Sequence, residues 1–195
     1  MNNKKTKQSE VLKITITAML LAVCMVSQVF KNLSVYITGP IVNMCLVLCL
    51  MTAGLKYALL LALITPVTAY FISAAPVMTA VPGIVPLIMA GNVVLVVVAF
   101  FFVRPTLKKN TLKNNVTYVV TSVIAAGAKG AFMGLTISLW LLPTFLPEAS
   151  PLRKKLGVFQ TMFSVTQFFT ALIGFAYLYI VWQAVKKFFA SEMGE

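Results

Sequence analysis

The chain has 195 residues, 60% of them apolar and 10% charged, with a mean hydropathy of +0.95. A soluble domain carries about a quarter of its residues as charges, so water is the wrong solvent for most of this surface, and no polar stretch is long enough to fold as a soluble domain beside an anchor. The net charge of +12 would suggest nucleic acid in a soluble protein; here it fits loop lysines at a membrane face, and no nucleic-acid partner is expected.

Lys4, Lys5 and Lys7 precede the first apolar segment. Leu21-Ala22-Val23-Cys24 resembles a lipoprotein cleavage box, but Val23 is a poor residue just before a cleaved bond. The segment is also long enough to span, so it reads as a retained first helix. Taken in order, the predicted spans are about 11–30, 38–54, 56–74, 85–103, 116–142 and 159–187. The breaks are Lys31 to Ile37, Gly54-Leu55-Lys56, the proline-rich run Ala75 to Pro86, Arg104 to Asn115, and Pro143 to Gly157. Only Gly54 and Lys56 separate the second and third spans, as in a tight turn. The whole of 1–195 reads as one all-α transmembrane domain of six helices.

Orientation follows from the cations. With the N-terminus inside, the inner segments hold eleven: Lys4, Lys5, Lys7, Lys13, Lys56, Arg104, Lys108, Lys109, Lys113, Lys186 and Lys187. The outer loops hold four: Lys31, Arg153, Lys154 and Lys155. Positive residues concentrate inside, so both termini are expected in the cytoplasm.

In that orientation the amides and hydroxyls of the spans gather in the outer half. Gln28 ends the first helix, Asn43 is early in the second, and Tyr70 and Ser73 are late in the third. Asn92 is early in the fourth, and Gln160, Ser164 and Gln167 are early in the sixth. At 1.5 Å per residue, Asn92 lies roughly 10 Å below the outer end of its helix. Val93 to Val103 and Leu172 to Trp182 are almost wholly apolar. Amides at membrane depth need partners or water, so a shared depth predicts a cavity open outward and closed below. Helix-to-helix hydrogen bonding is the competing use of each amide.

Lys129 sits at the centre of the fifth span, in Ala125-Ala126-Gly127-Ala128-Lys129-Gly130. A mid-bilayer lysine costs about 3 kcal/mol on insertion scales and faces the bundle interior or a wet cavity. No intramembrane acid can pair with it. It either snorkels, bonds amides and carbonyls, or meets an anionic ligand. Asn115, Ser122, Lys129 and Thr136 recur every seven residues and form one polar stripe. Ser122, Ala126, Gly130 and Gly134, spaced by four, let another helix approach closely, and Ala18 with Ala22 forms a similar pair.

The chain has no His and no Asp, and its four acids are Glu10, Glu148, Glu192 and Glu195. Nucleophile–base sets and metal hydrolysis therefore lack residues, and no enzymatic activity, cofactor or resident metal is expected. Cys24, Cys45 and Cys49 act as apolar filler. Gly127-Ala-Lys-Gly lacks the spacing of a phosphate loop. With neither an ATPase nor a proton relay, a cavity of this kind suggests a binding subunit powered by a partner.

Nearly the whole chain resembles the substrate-binding S components of energy-coupling factor (ECF) transporters, multi-pass plasma-membrane proteins that capture vitamins in bacteria and archaea. The resemblance rests on the basic N-terminus and six spans, Ala18-Met-Leu-Leu-Ala22, Ile37-Thr-Gly-Pro-Ile-Val-Asn43, Ile88-Met-Ala-Gly-Asn92, Gln167, and Thr170-Ala-Leu-Ile-Gly174. It implies a membrane T subunit, two cytoplasmic ATPases, and toppling to carry substrate inward. By the resemblance Ala18 and Ala22 contact the T subunit. Substrate would be held near the outer surface by helices four to six and the loops after helices one, three and five. We take Lys129, Asn92, Gln167, Asn43, Gln160 and Tyr70 as candidate substrate-binding residues, with Ala75 to Pro86 as an apolar flap above them. A substrate carboxylate or phosphate would supply the charge that Lys129 lacks, which favours an acidic vitamin such as pantothenate or nicotinate over a cation such as thiamine. If Lys129 is unpaired, its removal should not cost stability. The alternative from another class is a structural or assembly membrane protein whose polar groups serve only helix packing.

Overall fold

The computed structural model describes the backbone of residues 2–30, 35–108 and 112–192, and the side chains of 10–30, 35–107 and 115–185. Lys4, Lys5, Lys7, Lys31, Lys108, Lys109, Lys113, Lys186 and Lys187, most of the cations on which the orientation rests, lie outside the described side chains. Among the described residues the protein is helical without strands, and six helical stretches are long and apolar enough to cross a membrane: Glu10–Val29, Val35–Thr52, Leu55–Ser73, Ile84–Leu107, Asn115–Phe145 and Pro151–Val185. These are the six predicted spans. The protein is an all-α integral membrane protein.

The elements are α1 (Asn2–Val29), α2 (Val35–Thr52), α3 (Leu55–Ser73), the short α4 (Pro76–Ala80), α5 (Ile84–Val98), α6 (Arg104–Lys108), α7 (Leu112–Met133), α8 (Leu142–Phe145), α9 (Leu156–Met162) and α10 (Val165–Glu192). The second and third spans do part at Gly54, whose φ of 96° favours glycine. The amides of Ala53 and Gly54 both close on the Cys49 carbonyl there.

Three spans are not regular helices. Ala99–Val103 joins α5 to α6 as a π-helix, and Gly134–Leu141 joins α7 to α8 in the same way. The sixth span is broken at Phe163 and Ser164 between α9 and α10. Backbone groups freed at a break inside a membrane must find new partners. The Ser164 hydroxyl donates to the Gln160 carbonyl at 2.6 Å, and Gln167 Nε2 donates to the Met162 carbonyl at 3.1 Å.

Two apolar clusters hold the bundle. The larger contains Leu46, Leu50, Leu61, Leu95, Ala126 and Phe175. The smaller contains Met78, Ile84, Met133, Ile137, Leu142 and Phe163. α2 packs most extensively on α10. A Cβ on Gly174 would lie 2.9 Å from both Asn43 Cβ and the Pro40 carbonyl oxygen, so only glycine allows this approach. The small stripe of the fifth span serves the same end: Gly130 faces Phe168 and Gly134 faces Ser164.

Candidate functional site

Between the two apolar clusters lies a polar layer to which all six spans contribute. Lys129 comes from near the C-terminal end of α7, the middle of the fifth span, and is 3% exposed. Its Nζ donates to Asn43 Oδ1 of α2 at 2.6 Å and to Asn92 Oδ1 of α5 at 2.7 Å. Both asparagines are equally buried. The expectation that Lys129 is unpaired is therefore corrected: it holds two neutral acceptors, and an ammonium bonded twice is tied to three helices at once. Its removal would strand two amide oxygens, so stability does depend on it.

The sequence explains the third tie. Pro66 inside α3 has no N–H, which leaves the carbonyl of Ala62, four residues earlier, without its ladder partner. Asn92 Nδ2 donates to that carbonyl in a long contact of 3.4 Å. Asn92 thus accepts from Lys129 with its oxygen and covers the proline defect with its nitrogen. Gln28 of α1 reaches the next residue: its Nε2 donates to the Thr65 carbonyl at 3.0 Å, and its Oε1 accepts from the Thr68 hydroxyl at 2.9 Å.

These groups line a cavity of about 130 Å³. Its polar wall is Gln28, Thr38, Asn43, Thr65, Asn92, Lys129 and Gln167, and its apolar wall includes Val42, Pro66, Met78, Ile88 and Phe163. Such a volume holds several waters or a small solute. The larger cluster seals one side: Leu46, Leu61, Leu95 and Ala126, each about a turn from a layer residue, are fully buried. On the other side lie α4, through Ala75 and Met78, and Phe163 at the break of the sixth span. The cavity therefore sits toward the end of the bundle opposite the two chain termini.

Four of the six predicted site residues, Lys129, Asn92, Asn43 and Gln167, meet at the cavity. Gln160 does not line it; its Nε2 donates to the Ser138 carbonyl and its own carbonyl accepts from the Ser138 hydroxyl, at 2.9 and 2.8 Å. Tyr70 also lies off the cavity wall, packed against the smaller apolar cluster and edge-on to Phe71. The seven-residue stripe does not survive either. Asn115 is exposed, and Thr136 lies in the π-helical stretch, its hydroxyl turned back onto the Phe132 carbonyl. Gln28, one of the amides of the predicted outer layer, also lines the cavity, as does Thr65, which the sequence reading does not single out. Of the flap segment, Pro76–Ala80 forms α4, with Val77 and Met78 buried, and its last residues open α5 at Ile84.

Away from the cavity, Ala18 and Ala22 are exposed on α1, the span with the smallest buried share, 17%. Arg153 closes the α8–α9 connection by donating from Nη1 to the carbonyls of Pro143 and Leu146 at 2.9 and 2.8 Å. The three cysteines are buried and free.

Fold and site together define a six-span membrane protein with a small, half-polar cavity built around one lysine. Comparison of the chain with protein-family models, curated proteins and solved structures gives no match.

Proposed function

We propose that the chain is the substrate-binding S subunit of an ECF-type importer, which captures a small water-soluble vitamin or precursor outside a prokaryotic cell. The observation that carries this reading is the cavity, where a buried lysine, four side-chain amides and the Thr65 hydroxyl, together drawn from all six spans, converge between two apolar seals. A bundle held together only by polar helix contacts has no need to enclose such a space. The excess of cations in the segments at the other end supports termini in the cytoplasm and a cavity toward the outside. The chain has no residues for an engine of its own, so partners supply it: a membrane T subunit, with Ala18 and Ala22 on the exposed face of α1 as its contact, and two cytoplasmic ATPases. The protein itself is no enzyme.

The test is ligand-dependent stabilisation of the purified protein across a vitamin panel. A ligand at a hundred times its Kd raises stability by about 2.7 kcal/mol. Stabilisation by one compound, together with its uptake when the chain is co-expressed with a T subunit and ATPases, is the expected result. If no compound stabilises the protein and substitutions at Lys129 change stability alone, the polar layer is a packing device and the importer reading fails.

A further inference from the structure

We infer that the cavity takes a small organic monoanion, one carboxylate-type group on a largely apolar body, with its charge against Lys129 and a second polar group at Thr65. This rests on the reading of the cavity as a substrate site.

Charge balance comes first. Among the described residues Lys129 is the one charged side chain on the cavity wall, and no acid accompanies it there. Of the acids with described side chains, Glu10 is bonded to Lys13 and Tyr57, and Glu148 is exposed in the α8–α9 connection. The two partners of Lys129 are neutral amides, which orient the ammonium without cancelling its charge. They occupy two of its three N–H groups, and the third is left for the cavity. A bound anion with one negative charge would neutralise the site; a dianionic phosphate ester would bring a second charge, and the described wall residues hold no arginine or further lysine to meet it. A cation would need a carboxylate or an aromatic cage, and Phe163 is the single aromatic among the described residues of the wall.

The second anchor is Thr65. It is 1% exposed, lines the cavity, and its hydroxyl has no hydrogen-bond partner among the described residues. A buried hydroxyl without a partner is costly and is rarely left so. The nearby Gln28 amide does not satisfy it, being engaged with the Thr65 carbonyl and Thr68. A hydroxyl, amide or carbonyl on the ligand would complete it. Pro66, Met78, Ile88 and Phe163 then receive apolar atoms, which excludes a bare inorganic anion as the intended occupant.

The experiment uses the full chain in nanodiscs, as wild type, Lys129→Met, Lys129→Gln and Thr65→Val. Each is equilibrated with a deproteinised small-molecule extract of cells, washed, and its retained compounds are identified by mass spectrometry. Two matched acid and neutral pairs, nicotinate with nicotinamide and pantothenate with pantothenol, are measured alongside by equilibrium dialysis. The expected result is one retained monoanion, bound about tenfold to a hundredfold more weakly by both Lys129 variants and several-fold more weakly by Thr65→Val. Lys129→Gln keeps a donor for the asparagine oxygens, so it separates loss of charge from loss of fold. In any matched pair that binds, the acid should exceed its neutral partner. Retention of a neutral or cationic compound, held equally by wild type and Lys129→Gln, overturns the monoanion assignment and leaves the binding-subunit reading standing. A wild type that retains nothing above empty nanodiscs overturns both.

Discussion

The bond between Lys129 and Asn92 offers a direct measure of how far the polar layer holds the bundle together. Asn92→Leu keeps the branched heavy-atom shape of the side chain and removes both functions of the amide. The Lys129 ammonium loses one of two acceptors, a charge-assisted bond of about 1.5–3 kcal/mol. The Ala62 carbonyl loses its cover, and the 3.4 Å contact is long enough that about 0.5 kcal/mol is a fair measure. The single substitution should thus destabilise by about 2–3.5 kcal/mol. In a Lys129→Met background the ammonium is absent, so Asn92→Leu should cost only the carbonyl contact. The double-mutant cycle should yield a coupling of about 1.5–3 kcal/mol. Equilibrium unfolding by SDS in mixed micelles can be followed through Trp182, which is 4% exposed in the folded protein. A coupling below about 0.5 kcal/mol, the ordinary error of additivity, would refute the claim that the lysine ties these helices.

Gly174→Ala forces a methyl against the Pro40 carbonyl at 2.9 Å and should destabilise by about 1–3 kcal/mol in the same assay, whereas an unchanged midpoint would show that α2 and α10 can separate freely. Arg153→Met removes two carbonyl contacts, so amide exchange should quicken across 142–156 while the spans keep their protection; uniform exchange would deny Arg153 that role. Ala18→Trp with Ala22→Trp should abolish co-purification with a T subunit yet leave ligand binding by the isolated chain intact, and a normal complex would remove the proposed interface. Exchange across α4 should slow under a saturating ligand, because Met78 lies on the cavity wall; equal rates would deny it a covering role.

The number of spans was legible because the apolar runs are long and their breaks are marked by lysines, prolines and Gly54. Asn43 and Asn92 were legible through their shared depth and Lys129 as a lone charge inside an apolar span, and buried amides and ammonium groups seek one another. What depth cannot give is rotation about a helix axis. Gln160 and Tyr70 have suitable depth but face Ser138 and the smaller apolar cluster. Thr136 was placed by counting sevens, a count that fails where Gly134–Leu141 widens into a π-helix. Thr65 carried a readable signal that went unused. It precedes Pro66, and a proline inside an apolar span announces a bare carbonyl one turn back and a neighbour that must answer it.

That bare carbonyl also bears on the order of assembly. On its own in lipid, the third span carries a defect at Ala62 that its own backbone cannot repair, and the fourth span carries in Asn92 an amide in search of an acceptor. Each is an ill-suited lipid solute until the other arrives, and only one relative rotation brings Asn92 opposite Ala62. Proline and asparagine thus give two otherwise apolar cylinders one matched pair of polar groups, a weak bias on their relative rotation to which the shorter bonds of Lys129 add.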